Sequence, residues 1–359
     1  MKPVFQDPRA VKAVASRIAS IAPPHRVTLM HVCGTHENAI CRYGLRDLLP
    51  PWLRLVAGPG CPVCVCPAKE IDLAIRAARA GAIVTTFGDV AKVPARTTLM
   101  EARAEGADTR VVYSVADAVQ VAEQNPGREV VFFAVGFETT ACTTAAAIKA
   151  GPPPNFSIIP SHRIIPPALL ALLDAPDVSV DGFVLPGHVS TIIGRNAYLP
   201  ILERHPVPMA IAGFEPLDIM QGILAIVQQM VDGRAEVVNS YQRAVKEEGN
   251  VQAKAMIAEV FEPCDAAWRG IGDIPLSGLA LGARYRDRDA CMRLGLAVDQ
   301  GIPDTEPGCR CGEVLLGQVE PEDCPLFGSA CDPDHPVGPC MVAFEGTCQA
   351  RFRYRGMGQ

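Results

Sequence analysis

From Arg26 to about Pro216, short apolar runs rich in β-branched residues alternate with segments of helical periodicity. This alternation predicts an α/β architecture with parallel sheets, because parallel strands are joined by helical crossovers. Several runs are apolar throughout, as expected for strands that are buried on both faces. The predicted strands are Val27–Val32, Leu53–Ala57, Ile83–Phe87, Arg110–Tyr113, Val130–Val135, Phe156–Ile159, Phe183–Leu185 and Pro208–Ala212.

Eight strands suggest two lobes rather than one sheet. The segment Gly151–Asn155 is the predicted linker between them, because its consecutive prolines interrupt helix and strand alike. The pattern therefore predicts one α/β lobe on each side of this segment and a third domain after them. The predicted domains are residues 1–150, residues 151–245 and residues 246–359.

The pattern changes in the last third of the chain. Helices are predicted over Pro216–Val231 and Ala244–Val260, and the alternation stops after Phe261. The residues that follow are rich in Gly, Pro, Asp and Cys and look too irregular to form a large core. We expect a metal ion or cluster to hold this segment in place.

Charge and hydropathy exclude several classes of protein. The chain of 359 residues has a net charge of −6, and its Lys and Arg residues are dispersed, so no nucleic-acid footprint is visible. No uncharged run reaches the ~18 residues of a membrane span, and charges interrupt the N-terminal segment where a signal peptide would stand. We expect a cytoplasmic protein that binds neither nucleic acid nor membrane.

The fourteen cysteines are unevenly distributed. Five lie between Cys33 and Cys66, and six lie between Cys309 and Cys348. In a reducing compartment such clusters indicate metal or redox chemistry rather than a disulfide framework. The three isolated cysteines are predicted to be apolar filler: Cys142, Cys264 and Cys291.

Cys33 begins the motif Cys-Gly-Thr-His, which follows a predicted strand and opens a predicted helix. The helix dipole and free backbone N–H groups at such a position favour a thiolate, and the imidazole of His36 would assist it. The alternative is that Cys33 fills apolar space and His36 caps the helix. We favour an activated thiol.

Cys61 and Cys64 form a Cys-x-x-Cys pair on a loop rich in Gly and Pro. This spacing suits a reversible disulfide or one half of a zinc site. Because no second ligand pair of similar spacing lies nearby in the sequence, the redox interpretation is favoured. Cys66 is an additional thiol to which the sequence assigns no role.

Two further motifs follow strands and begin helices, Gly136–Thr140 and Pro186–Ser190. Their glycines allow close approach of a ligand, and Glu138 or His188 would donate, accept or coordinate there. Polar helix caps are the alternative for each. Four polar turns at the carboxyl ends of strands lead us to expect a shared cleft between the lobes.

The last six cysteines exceed the need of one metal site. Cys309, Cys324, Cys331 and Cys348 are widely spaced in a proline-rich segment, which suits a 4Fe–4S cluster better than zinc, the alternative. Cys311 and Cys340 remain as a candidate disulfide beside the cluster. The predicted fold is two parallel-sheet α/β lobes around a cleft plus an irregular C-terminal iron–sulfur domain.

Taken together, these motifs resemble one family closely, the hydrogenase maturation factor HypD family. The resemblance runs over most of the chain and implies a scaffold that holds an iron carrying two cyanides and one carbon monoxide. It implies Cys33 as ligand of that iron, and Cys61 with Cys64 as a redox pair beside it. For the last segment it implies an arrangement similar to ferredoxin–thioredoxin reductase. In that arrangement a 4Fe–4S cluster is bound by Cys309, Cys324, Cys331 and Cys348, and Cys311 with Cys340 forms a second dithiol.

The resemblance also implies partners. A small chaperone of the HypC type would share the iron, an enzyme of the HypE type would donate cyanide, and the large subunit of nickel–iron hydrogenase would receive the product. Glu37-Asn38 and Cys66 depart from the family's usual pattern. The competing hypothesis is a freestanding thiol–disulfide oxidoreductase fed by the cluster, in which Cys61 and Cys64 do the work.

Overall fold

The computed structural model of the protein describes residues 4–355 and has a mixed α/β fold. All eight predicted strands are present, with ends that differ from the predicted ones by up to three residues. The strands are β1 (Val27–His31), β2 (Leu53–Ala57), β3 (Ile83–Thr86), β4 (Thr109–Val111), β5 (Val130–Gly136), β6 (Phe156–His162), β7 (Gly182–Pro186), β8 (Met209–Ala212), β9 (Val237–Asn239), β10 (Phe261–Trp268) and β11 (Gly272–Leu281).

Helices follow most of these strands. Several begin at side chains that accept a hydrogen bond from the first turn, such as Asp7, Ser114 and Asn250. The helices are α1 (Pro8–Ser20), α2 (Gly34–Arg42), α3 (Ala68–Arg79), α4 (Leu99–Ala104), α5 (Val115–Gln124), α6 (Glu138–Lys149), α7 (Ile165–Asp174), α8 (Gly187–Ile193), α9 (Leu199–Arg204), α10 (Pro216–Val231), α11 (Val251–Val260), α12 (Ala290–Leu294), α13 (Cys311–Leu315), α14 (Pro339–Val342) and α15 (Thr347–Tyr354). Within residues 4–355, no helix is long and apolar enough to cross a membrane.

Nine of the strands form two parallel sheets. The first sheet has the order β2-β1-β7-β8-β9, and the second has the order β4-β3-β5-β6. Every strand pair in both sheets is parallel. The prediction of parallel α/β architecture is confirmed.

The grouping of strands differs from the predicted one. β1 and β2 belong to the same sheet as β7, and β6 pairs with β5 although it follows the predicted linker. Gly151–Asn155 is instead a short loop between α6 and β6, and the Asn155 side chain ties it to the end of α5 and the following turn by donating to the carbonyls of Ala122, Asn125 and Arg128. Parallel apolar runs look alike in sequence, so they do not reveal which neighbour each strand will choose. The three-domain division stays a prediction.

The segment after residue 260 is more regular than predicted. β10 and β11 form an antiparallel hairpin with an irregularity between Cys264 and Ala266. Trp268 is fully buried at its end and donates from Nε1 to Ser277 Oγ over 2.8 Å. Pro263 interrupts the alternation of the first strand, which is why the pattern looked irregular. The helix predicted to start at Ala244 begins only at Val251, and β9 was also missed.

One apolar cluster connects the first sheet with the cysteine-rich segments. It contains Met30 of β1 and Leu185 of β7, together with Cys64, Cys311 and Cys340. The last hundred residues therefore contribute side chains to the same apolar cluster as the first sheet. They share a core with the loop that carries the Cys-x-x-Cys pair.

Candidate metal and thiol site

Cys33 lies at the start of α2, immediately after β1, and its side chain is buried. Burial is the largest influence on its thiol and, with the carboxylate of Glu345, raises the pKa of Cys33 to about 12. The backbone N–H groups of His36 and Thr35 act in the opposite direction, as expected at a helix N-terminus. The activation of the Cys33 thiol stays a prediction.

Two other segments meet the start of α2. The Gly34 N–H donates to the carbonyl of Gly60 over 3.0 Å, and a Cβ atom on Gly60 would collide with the backbone of Cys33. From the other side, Thr35 Oγ1 donates to Glu345 Oε1 over 2.6 Å. Cys33 is thus held where β1, the Cys-x-x-Cys loop and the last segment of the chain converge.

Cys61 and Cys64 are joined by a disulfide, with 5.2 Å between their Cα atoms. Both are buried, at 3% and 0% exposure. Cys64 Sγ lies 3.9 Å from the carbonyl oxygen of Pro339, the residue before Cys340. The first cysteine-rich loop therefore touches the segment that carries the second pair.

Cys66 turns away from this disulfide towards the second sheet. Its Sγ lies 3.4 Å from Ser161 Oγ at the end of β6. Burial raises the pKa of Cys66 to about 12, with a further contribution from Glu70. Ser161 in turn donates to Glu70, which forms an ion pair with Arg163. In this arrangement Cys66 is a buried, protonated thiol.

His36 and His188 come from separate motifs, and both lie beside one aromatic ring. The ring of Phe214 is 5.1 Å from that of His36 and 3.8 Å from that of His188. Nε2 of the buried His36 donates to Gly213 O over 2.9 Å, and its Nδ1 has no partner among the described residues. Burial lowers the pKa of His36 to about 3, so the ring is neutral.

Glu138 begins α6 directly after β5 and is also buried. Its Oε1 accepts the N–H of Ile165 over 2.9 Å, whereas Oε2 has no partner in the part of the chain that the structure describes. Burial raises the pKa of Glu138 to about 7. Both Glu138 and Cys33 act on the hydroxyl of the buried Tyr198, raising its pKa after burial itself. α6, which follows β5 of the second sheet, also packs against α8, which follows β7 of the first sheet.

Sequence reasoning missed a buried network beneath α2. Glu37 accepts hydrogen bonds from Arg46 Nη2 over 2.6 Å and contacts His31 Nε2 at 2.7 Å and Cys41 Sγ at 3.1 Å. The charges of Arg46 and His31 hold the pKa of Glu37 well below its usual value despite burial. Arg351 of α15 lies 3.4 Å away and links the network to the last helix. A signal was available, since charged residues beside a buried motif need partners.

Phe214, Tyr198 and Glu345 were missed as well. Phe214 follows β8, Tyr198 precedes α9 and Glu345 lies between α14 and α15. None of them belongs to a motif with recognisable spacing. Only the packing of distant elements brings Phe214 to His36 and His188, Tyr198 to Ser190 and Glu345 to Thr35.

All six cysteines of the last segment line one cavity, together with apolar side chains such as Leu326 and Met341. Nearby thiols raise the pKa of Cys309 and of Cys331, after the effect of burial. Among residues 4–355, no three or more His, Cys, Asp or Glu side chains gather around a point that fits a single metal ion. The six cysteine side chains instead line a cavity.

Local backbone features favour sulfur in this cavity. The Val337 N–H lies 3.3 Å from Cys331 Sγ and donates to it. A Cβ atom on Gly338 would lie only 2.6 Å from Cys309 Sγ, so this position leaves room for the sulfur. Cys311 and Cys340 are buried at the inner side, with 2.8 Å between their Sγ atoms. We call the cavity lined by these six cysteines the six-cysteine cavity.

Comparison with known proteins gives a consistent result. A family model described as "HypD: Hydrogenase formation hypA family" matches residues 9–355. The chain is 46% identical to Hydrogenase maturation factor HypD2 of Bradyrhizobium diazoefficiens over 364 residues, covering 98% of this chain and 95% of that protein. It is 45% identical to Hydrogenase maturation factor HypD of Azotobacter vinelandii over 363 residues, with the same coverage.

A third relative comes from Cupriavidus necator, whose Hydrogenase maturation factor HypD is 44% identical over 364 residues. That alignment covers 98% of this chain and 96% of the relative. The family model and these relatives span both sheets and the six-cysteine cavity alike. The chain therefore belongs to the HypD family of hydrogenase formation proteins.

Proposed function

We propose that this chain acts in hydrogenase maturation as a scaffold and redox protein. In this role it holds, on Cys33, an iron destined to carry two cyanides and one carbon monoxide, together with a HypC-type chaperone. Membership of the HypD family and the names of its relatives support the maturation role. A HypE-type cyanide donor and the hydrogenase large subunit complete the proposed set of partners.

The observation that carries the proposal is the position of Cys33. A single buried thiol stands at a helix N-terminus, where β1, the Cys-x-x-Cys loop and the last segment meet. Thiolate is an apt ligand for soft, low-spin iron. Two buried polar atoms of the predicted site residues, His36 Nδ1 and Glu138 Oε2, lack partners among the described residues. Buried polar groups ordinarily have partners, so these two mark a place for a polar cargo.

The six-cysteine cavity fits a 4Fe–4S cluster, which we propose as the resident cofactor. Burial and neighbouring thiols raise the pKa values of Cys309 and Cys331, so a positive centre is needed to hold these sulfurs as thiolates. Cys309, Cys324, Cys331 and Cys348 would hold the cluster, and the Val337 N–H would remain a donor to sulfur. When bound, the cluster would supply electrons one at a time.

The two dithiols suggest a relay towards Cys33. A thiolate of the Cys311–Cys340 pair would attack one sulfur of the Cys61–Cys64 disulfide, whose S–S bond breaks as a mixed disulfide forms. The second thiol of the pair would then resolve that mixed disulfide. Cys61 and Cys64 end as thiols, Cys311 and Cys340 end as a disulfide, and two electrons and two protons have moved. The contact between Cys64 and Pro339 supports this proximity.

A freestanding thiol–disulfide oxidoreductase is not favoured. Such an enzyme must present one sulfur to an external disulfide, because exchange proceeds by direct attack. Cys61 and Cys64 are 3% and 0% exposed, and the family match points to maturation. An internal relay needs no such exposure.

Infrared spectroscopy tests the proposal. Three proteins are compared: the native chain, Cys33→Ala and Cys291→Ala. Each is purified without oxygen together with its HypC-type partner. We expect cyanide and carbon monoxide bands in the native complex and in Cys291→Ala, a control in a different part of the fold, and none in Cys33→Ala. Bands that persist in Cys33→Ala would remove Cys33 as the ligand. Bands absent from every sample that still binds the partner would overturn the scaffold role.

A further inference from the structure

A short turn, residues 269–271, joins the two strands of the hairpin β10–β11. The Ile271 N–H closes it by donating to the carbonyl of Trp268 over 2.9 Å. Gly270 lies in the middle of the turn with a φ of +74°, a left-handed backbone conformation that glycine adopts without strain. The middle of this turn therefore carries no side chain, and another main chain can approach it closely. We call residues 269–271 the hairpin turn.

The hairpin turn contacts the loop of the first cysteine pair, Cys61 and Cys64. The Arg269 N–H donates to the carbonyl oxygen of Val65 over 2.9 Å. Val65 directly follows Cys64 in the chain, and Cys64 is half of the disulfide. The main chain of the hairpin turn is therefore bonded to the residue next to the first pair.

The side chain of Arg269 holds the hairpin turn in place. It is 2% exposed, its Nε donates to the carbonyl oxygen of Asp304, and its Nη2 donates to that of Pro94 over 3.0 Å. Asp304 Oδ1 accepts the N–H of Ala68 over 2.8 Å, at the start of α3. Hydrogen bonds made by a charged group are among the stronger ones in proteins. They fix the hairpin turn relative to the helix that follows the first cysteine-rich loop.

The hairpin turn also contacts the helix that carries one member of the second pair, Cys311 and Cys340. Gly312 directly follows Cys311 in α13. A Cβ atom on Gly270 would lie 2.6 Å from the Cα atom of Gly312, and a Cβ atom on Gly312 would lie 2.5 Å from the carbonyl oxygen of Gly270. Neither position has room for a side chain, because the atoms it would meet belong to the main chain and cannot rotate away.

We propose that the hairpin turn is a positioning element for thiol–disulfide exchange, which sets the distance between the first pair, next to Val65, and the second pair, next to Gly312. The inference rests on the proposed function, in which the second pair reduces the first. Exchange requires direct attack of one sulfur on another, and all four cysteines are buried in one apolar cluster. Packing therefore has to set their spacing. One S–S bond breaks as another forms, so this step needs no further oxidant or reductant.

Gly312→Ala tests the positioning role. Alanine is favoured over glycine within a helix, so the added methyl group acts through its collision with Gly270. The matched control is Gly127→Ala, where an added Cβ atom meets nothing within 4 Å. Both variants and the native protein are loaded with the iron–sulfur cluster and oxidised at both pairs. A photochemical one-electron donor then supplies two electrons for each pair, and alkylation with mass spectrometry counts the thiols of each pair over time.

We expect thiols to appear at both pairs in the native protein and in Gly127→Ala. In Gly312→Ala the second pair should be reduced at the native rate, whereas reduction of the first pair should slow by about 100-fold, the effect expected when reacting groups are misplaced by about 1 Å. A general loss of stability would not separate these two steps. The split between them is therefore the signature of positioning.

The outcomes separate this inference from the proposed function. Reduction of the first pair at the native rate in Gly312→Ala would overturn the positioning role and leave the relay in place. A native protein whose first pair is never reduced would overturn the redox part of the proposed function, and this inference with it.

A second measurement uses the native protein alone and decides the case if Gly312→Ala fails to fold or to bind the cluster. The Arg269 amide proton, which is bonded to Val65, should exchange slowly with solvent whether the two pairs are oxidised or reduced. Fast exchange in either state would overturn the positioning role, because the hairpin turn would then not be held against the loop of the first pair.

Discussion

The two cysteine-rich regions differ in how the fold treats their sulfurs. In the first region, residues 33–66, Cys61 and Cys64 form a disulfide, and the other three thiols lie in separate places: Cys33 at the start of α2, Cys41 beside Glu37 and Cys66 beside Ser161. In the last region, residues 309–348, short helices and turns gather six cysteines around one cavity. Regular structure separates thiols, whereas an irregular wrap collects them.

This difference has an energetic consequence. The first region is held by protein contacts, including the buried charges around Glu37 and the close approach of Gly60 to Cys33. In the last region neighbouring sulfurs add to burial in raising the pKa values of Cys309 and Cys331, so these thiols disfavour one another's ionisation. We therefore expect the last region to depend on its cofactor and the first to depend on its side chains.

The largest expected effect comes from Cys324→Ala. Under the cluster proposal, loss of one thiolate removes the cofactor, so the iron and sulfide content should fall to background and residues 309–348 should become sensitive to protease. Cys33→Ala should keep its iron–sulfur content and its protease resistance. Equal cluster loss in both variants would contradict the proposed separation of the two regions.

Glu37→Gln tests the first region. Removing one partner from a buried ion pair typically costs about 3–5 kcal/mol, because Arg46 is left uncompensated. Chemical denaturation of the metal-free protein measures this loss. The matched control is Glu105→Gln, whose ion pair with Arg79 is exposed and should change stability by less than about 1 kcal/mol. Similar losses in both variants would mean that the buried network does not support α2.

The smallest effect concerns pH. The pKa of His36 falls from 6.5 to about 3 on burial. Between these pH values the unfolded chain binds a proton at His36 and the folded chain does not. Stability is therefore lost as pH falls below 6.5, by about 2 kcal/mol between pH 7 and pH 5 from this group alone. Denaturation at both pH values should show that His36→Gln, which keeps an amide donor near Gly213, loses less free energy of unfolding between pH 7 and pH 5 than the native protein. The exposed His25→Gln should behave as the native protein, and an unchanged loss in His36→Gln would contradict the assignment.

Much of the fold was predictable because its signals are local. An apolar run followed by Gly, Pro or a polar turn identifies a strand end wherever the strand pairs, and all eight predicted strands are present. The hairpin β10–β11 was missed because Pro263 and Asp265 interrupt its alternation, so its formation depends on pairing rather than on pattern. The roles of the predicted site residues stay predictions, but their positions at strand ends follow from the sequence.

The sequence by itself determined the parallel α/β class, the strand ends that carry the motifs and the two groups of thiols. These depend on periodicity and spacing, which are properties of short segments. Tertiary structure decided which strands share a sheet, and that Phe214 and Tyr198 join motifs from distant parts of the chain. It also decided that Cys33 and Glu138 are buried, which raises the pKa of both. The physical reason is burial: the pKa of a group depends on which distant segments exclude water from it, and no local pattern encodes that.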